Sequence, residues 1–353
     1  MEKNIERDSI SVYKGLAMVL VVLGHAMTPS IRAMNTSYQV VWDVIYSFHM
    51  FAFFAVSGWL FEKSIPKYLE DRNCFIRHKF RHLIQPYIVL TCLEYGLIWC
   101  AYSFAIGKKV FSSMGISNYS FADFVRALLL DINHFDIHLW FVYVLFFIFI
   151  INIGFPRFSI KRKYFGLLLI CGFMYSVLSY LNIRINAVLY WAIPFFLGRV
   201  TYKNGWVKRI KELKRLELGG AVLLFIFANV MYMWINKMQG DNSFVLEYIR
   251  VGVACILRHT AGLFGTMVLV WGCFQIKFPP CRKLLKKIGE ESYGIYLFHQ
   301  PFLTTGVATV GMKLGIPSAI AIFVATILGI VVPILFCKRI IKRNRILSTL
   351  FPI

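Results

Sequence analysis

Long apolar runs alternate with short charged segments along the whole chain. Runs of about 18 or more apolar residues recur, and each is long enough to cross a bilayer as a helix. In hydrocarbon every backbone N–H and C=O must be paired inside the chain, so continuous helices are the expected solution. The short alternating segments of a membrane β-barrel do not occur. The pattern therefore predicts one all-α domain over 1–353, a polytopic membrane helical bundle of about ten transmembrane helices. The spans fall near 9–28, 40–61, 83–106, 138–154, 164–181, 186–200, 218–236, 248–275, 291–311 and 316–337. The fourth, fifth and sixth are short or interrupted. The first run is long and no small-residue site follows it, so no cleaved secretory signal is expected.

Composition supports this picture: 58% of the 353 residues are hydrophobic and 17% aromatic, far from a soluble domain. A net charge of +22 first raises nucleic acid as a partner. Its distribution argues against that. With the N-terminus in the cytoplasm, 29 of the 39 Lys and Arg fall in inner segments and eight in outer loops. Arg199 and Arg258 lie in helices or at their ends. This is the positive-inside pattern, and it puts both termini inside. The bland partners of these charges are anionic lipid headgroups. Eight cysteines are scattered with no CxxC pair, so they read as small apolar residues rather than a disulfide or zinc framework.

Ionisable groups inside spans are costly, so each is a candidate for function. Lys14 and His25 are eleven residues apart on the first helix, about 20° past three full turns, and thus share a face about 16 Å apart. Snorkelling of Lys14 and an interfacial place for His25 are the competing structural explanations. His49 lies on the second helix at a depth comparable with His25. Ser57 and Gly58 follow two turns on, where small residues allow close helix packing. His138 opens the fourth span, placed by topology at the outer surface, where Trp140 would join an aromatic belt. Ser292, Tyr296 and His299 recur at i, i+4, i+7, a polar stripe that should face protein or a cavity. Pro301 follows, and a helix break there would open the stripe. Arg258 and His259 add to the outer half of the eighth span.

Several histidines thus converge on the middle-to-outer part of the bundle. Metal binding has little support, since neither HExxH nor an i, i+4 His pair is expected along the chain to serve it. General-base chemistry suits neutral imidazole, whose reference pKa is near 6.5. A phosphorylated donor would need inner-side cations, and Lys14, Arg77, Lys79 and Arg81 sit there.

Together these stretches resemble the integral-membrane acyltransferase 3 family, which includes bacterial polysaccharide and lipopolysaccharide O-acetyltransferases. The first helix is similar to that family's basic residue eleven positions before a histidine, here Lys14 and His25 flanked by Gly15 and Gly24. Phe48, His49, Met50, Phe53, Phe54, Ser57 and Gly58 match its F-H-M-P-x-F-F-x-x-S-G segment. "RHLIQPY", "LWFVYVLF", "PFFLGR" and "GIYLFHQP" follow in the family's order. The chain departs at three places: Lys14 where arginine is commoner, Ser11 where aspartate is frequent, and Phe51 where proline is usual. Lysine lacks arginine's planar fork.

The resemblance implies transfer of an acyl group, usually acetyl, from cytoplasmic acyl-CoA to a carbohydrate hydroxyl. It implies His25 as general base and His49 as a residue that orients it or contacts the acyl group. Lys14, Arg77 and Arg81 would hold the CoA phosphates. Tyr296, His299, Ser292, His138, Trp140, Arg258 and His259 would line the substrate cavity. No metal and no permanently bound cofactor is implied; acetyl-CoA is a co-substrate. The implied partners are acyl-CoA, a free or lipid-linked carbohydrate, membrane lipids and polysaccharide-assembly proteins, at the bacterial cytoplasmic (inner) membrane. Two rivals stand beside this reading. A glycan or small-molecule exporter also fits a polytopic bundle with buried polar groups, although inverted repeats are not evident. A non-catalytic scaffold would not depend on the histidines.

Overall fold

The computed structural model describes residues 2–113, 120–130, 138–154, 185–237 and 244–353. The predicted fifth span, 164–181, lies outside the described residues. Among them the chain is helical, with no strand. Six segments are long and apolar enough to cross a membrane: Asp8–Ala26, Thr36–Ile65, Arg72–Tyr102, Arg215–Lys237, Ile249–Gln275 and Ser318–Ile341. These correspond to the predicted first, second, third, seventh, eighth and tenth spans. The other three that fall on described residues are shorter or broken.

The helices that position the site are α1 (Glu2–Ala26), α2 (Thr36–Glu70), α3 (Arg72–Tyr102), α4 (Trp140–Gly154) and α5 (Ile185–Lys203). After them come α6 (Arg215–Lys237), α7 (Phe244–Gln275), α8 (Pro279–Glu290), α9 (Ser292–Phe298), α10 (Val307–Lys313) and α11 (Ser318–Phe336). Local chemistry sets the ends. The Asn35 side chain accepts from Ser37 N at 2.8 Å and starts α2, and Asp71 accepts from Cys74 N at 2.8 Å and starts α3. The predicted ninth span is divided. Its α-helix stops at Phe298, Pro301 follows, and a wide turn over Phe302–Gly306 leads into α10. The break predicted at Gln300–Pro301 is therefore present.

α3 begins eleven residues before the predicted boundary of 83. It passes through a wide π turn at Phe80–Ile84 just ahead of Pro86. Pro86 has no N–H to give the His82 carbonyl, and a π turn absorbs such a missing bond. The Tyr293 hydroxyl of α9 donates to that same carbonyl. A side chain thus supplies a donor that Pro86 cannot.

Two helix pairs approach backbone to backbone through glycine. A Cβ on Gly58 of α2 would sit 1.8 Å from Phe195 O, and one on Gly198 of α5 would sit 1.8 Å from Ala55 O. Gly15 of α1 and Gly289 of α8 meet in the same reciprocal way, at 1.9 Å from Leu285 O and 1.7 Å from Ser11 O. Small residues at such crossings are the main route to tight packing in membranes, where no hydrophobic force drives helices together.

A buried ion network ties α2, α4 and α5. Arg199, 1% exposed, donates from Nε to Glu62 Oε2 at 2.6 Å and from Nη1 to Asn152 Oδ1 at 2.6 Å. Lys203 Nζ reaches the other Glu62 oxygen at 3.1 Å. Arg199→Ala leaves the Glu62 carboxylate with only the half-exposed lysine. We expect a loss of about 3–5 kcal/mol, read as a lower melting temperature of the detergent-solubilised protein. Glu62→Leu combined with Arg199→Met should recover most of it. An Arg199→Ala protein that melts with wild type would refute a structural role for the network.

Candidate active site

A cavity of about 720 Å³ runs through the bundle. One face of α2 forms its floor, through Tyr46, His49, Phe53, Ser57, Leu60, Ser64 and Tyr68. These recur every three or four residues over 22 positions, so the floor is about 33 Å long at 1.5 Å per residue. Lys14, Met18, Val21 and His25 of α1 form a parallel wall. Ser292, Tyr293, Tyr296 and His299 close it from α9 and the break that follows. Trp140 of α4 and Tyr190 and Trp191 of α5 add an aromatic side, with the Trp140 and Trp191 rings 5.4 Å apart.

One end of the cavity holds a chain of rings. His138 lies 5.0 Å from His299, His299 lies 5.2 Å from His25, and Tyr46 connects His25 to His49. Tyr46 Oη is 3.2 Å from His25 Nδ1, and the Tyr46 and His49 rings are 4.6 Å apart. Backbone carbonyls fix two of the tautomers. His49 Nδ1 donates to Ile45 O at 2.8 Å, and His299 Nδ1 lies 3.0 and 2.9 Å from Ile295 O and Tyr296 O. A ring whose Nδ1 carries the proton keeps its lone pair on Nε2. His299 Nε2 is buried and has no hydrogen-bond partner among the described residues. Such a buried acceptor is an opening for a donor on a bound molecule.

The other end of the cavity is cationic. Lys79 lies there, beside Tyr68 at the far end of the α2 floor, while Lys14, about 16 Å along α1 from His25 and next to Tyr13, whose hydroxyl donates to Ala52 O, stands about halfway along it. Lys79 Nζ sits 4.3 Å above the Phe149 ring, and among the described residues it has no carboxylate within ion-pair distance.

The structure brings nine of the sequence-selected residues to this cavity: His25, His49, Lys14, Ser292, Tyr296, His299, His138, Trp140 and Arg258. Three are not in it. Arg77 and Arg81 are exposed, and Lys79 between them lines the cavity instead. Two residues along a helix turn a side chain by about 200°, so only one of the two faces can point inward. His259 lies behind the wall. Pro194 has no N–H for the Tyr190 carbonyl, and His259 Nε2 is 3.3 Å from that oxygen while Nδ1 is 2.9 Å from Cys255 O. A neutral imidazole has one N–H and so donates to only one of these oxygens; either way the ring faces backbone rather than the cavity.

His138 also departs from its expected place at the outer surface. It is 5% exposed, and its carbonyl accepts from the Tyr296 hydroxyl at 2.6 Å. Tyr46 escaped the sequence reading, although Trp42, Tyr46 and His49 recur at i, i+4, i+7 as the α9 stripe does. His78 and His82 form an i, i+4 pair with rings 4.0 Å apart, which corrects the expectation that the chain has no such pair; neither lines the cavity.

Phe51, where the resembled family has proline, is accommodated by Gly262 of α7. A Cβ there would lie 2.3 Å from the Phe51 ring. Gly262→Ala should lower the melting temperature by a cost of about 1–3 kcal/mol. Phe51→Leu should rescue it, and the two should be non-additive in a double-mutant cycle. Strict additivity would show that the two sites do not touch.

The architecture and the enclosed, imidazole-rich cavity define a multi-pass helical membrane protein with a built polar site. The comparison with protein families is more specific. A family model described as an acyltransferase domain matches residues 7–338, essentially the whole chain, and the protein belongs to this acyltransferase 3 family. No curated protein and no solved structure matched the chain.

Proposed function

We propose that this membrane acyltransferase moves an acetyl group from cytoplasmic acetyl-CoA to a hydroxyl of an exported or cell-surface polysaccharide, or of its lipid-linked precursor, at the bacterial cytoplasmic membrane. The observation that carries the reading is the polarity of one continuous cavity, with imidazoles at one end, the Lys79 amine at the other, and Lys14 about halfway along a largely apolar, aromatic passage. An acyl-CoA has the matching shape: phosphates at one end, an extended arm, and the thioester at the tip. Lys14 and Lys79 would face the phosphates. Arg77 and Arg81, exposed on the same segment, would add positive field near the mouth.

His25 takes the proton of the acceptor hydroxyl as that oxygen attacks the thioester carbonyl. The tetrahedral adduct collapses by breaking the C–S bond. The imidazolium returns its proton to the departing thiolate, giving ester and free CoA thiol with no net proton change. His49, locked with its Nε2 lone pair available, would accept from a substrate donor beside His25. Tyr296, His299, Ser292, His138, Trp140 and Arg258 shape the pocket around the acceptor and the thioester.

His25→Ala should lower acetyl transfer by roughly 10²–10⁴-fold, the usual worth of a general base, while the protein still inserts. Lys79→Ala should raise KM for acetyl-CoA with little change in kcat, because a phosphate contact binds ground state and transition state alike. Both are measured with labelled acetyl-CoA and a glycan acceptor. Full transfer by a well-expressed His25→Ala protein would sink the mechanism.

A further inference from the structure

We infer that Tyr46 is the positioning residue for the His25 imidazole; the inference rests on His25 being the base proposed above. His25 stands in the last turn of α1, one residue before the helix ends at Ala26. The last turn of a helix lacks the backbone bonds that hold its middle, so a base placed there needs outside support. Thr305 Oγ1, 3.4 Å from His25 O, supports the backbone, and Tyr46 Oη, 3.2 Å from His25 Nδ1, is the contact that holds the ring.

The tyrosine is itself held from several sides. Its ring stacks on Trp42 at 4.0 Å and meets the His49 ring edge-on at 4.6 Å. Arg258 Nη2 donates to its carbonyl at 2.9 Å. Gly24 supplies the space, since a Cβ there would come within 2.8 Å of Tyr46 Cε2. The glycine immediately before His25 thus has a steric reason: it admits the ring that holds the base.

The chemistry follows from the direction of the bond. When His25 Nδ1–H donates to Tyr46 Oη, the lone pair stays on Nε2, the nitrogen left to take the acceptor's proton. The opposite direction would put the proton on Nε2 and make the ring a donor. A phenol carries no charge, so it selects tautomer and orientation without the imidazolium stabilisation that a carboxylate partner provides.

The test uses the full-length protein in nanodiscs, labelled with ¹⁵N-histidine, with His25→Gln to assign the His25 signals. We expect the Nδ1–H form in the wild type and a shift toward Nε2–H or a mixture in Tyr46→Phe. In the same preparations, kcat for acetyl-CoA turnover with a membrane-glycan acceptor should fall roughly tenfold to a hundredfold, part of the general-base factor, with KM for acetyl-CoA unchanged. Should Tyr46→Phe fail to fold, 3-fluorotyrosine at position 46 alters the phenol's acidity with little change in size and should shift the same nitrogen signals. Unchanged His25 signals, or an unchanged kcat, in the altered protein would overturn the inference. The spectra need no acyl donor, so the two failures separate. Unchanged spectra beside an inactive His25→Ala protein overturn the role of Tyr46 alone. Full transfer by His25→Ala overturns the base assignment, and this role of Tyr46 with it.

Discussion

A proline inside a helix leaves the carbonyl four residues earlier without its donor, and in hydrocarbon no water takes the donor's place. Pro86, Pro194 and Pro333 do this to the carbonyls of His82, Tyr190 and Gly329. The Tyr293 hydroxyl donates to the first, and His259 Nε2 lies 3.3 Å from the second. Both contacts join helices that are distant in sequence, and Tyr293 and Tyr190 both line the cavity. The same demand for internal partners explains the Arg199–Glu62–Asn152 network, which unites three helices around two buried charges. Satisfying polar groups internally is therefore what assembles the walls of the site.

Inside those walls the same rule sets the chemistry. Backbone carbonyls take the Nδ1 protons of His49 and His299, and this leaves both rings with Nε2 lone pairs. Tyr46 stands in the corresponding place for His25, the one imidazole of the three with a side-chain partner at Nδ1. A largely apolar, aromatic passage, with Lys14 about halfway along it, separates this cluster from Lys79, so the cavity has two chemically different ends. The membership of the chain in an acyltransferase family gives that polarity its functional meaning.

Much of this was legible along the chain. The eleven-residue spacing of Lys14 and His25 already put both on one helix face, and the i, i+4, i+7 stripe of Ser292, Tyr296 and His299 already demanded a protein-lined surface. Pro301 marked the break in the ninth span. Other features were not legible. Arg77 and Arg81 carry the same charge as Lys79, and charge alone does not say which side of a helix meets the cavity. His138 looked like an interfacial residue because its neighbours were aromatic, yet the turn before α4 tucks it beneath α9. Phe51 looked like a departure from a motif, and only the facing Gly262 shows how the bundle admits it.

The sequence by itself determined that the chain is a helical membrane bundle, because hydrocarbon permits few backbone solutions and long apolar runs are local signals. It also determined which polar residues share a helix face, since a 3.6-residue period is a property of one segment. Only the tertiary structure decided which faces meet. It joined His25 to His49 through Tyr46, chose Lys79 over its arginine neighbours, and turned His259 toward the Cys255 and Tyr190 carbonyls and away from the cavity. Those outcomes depend on contacts between segments tens to hundreds of residues apart, and no local period encodes them.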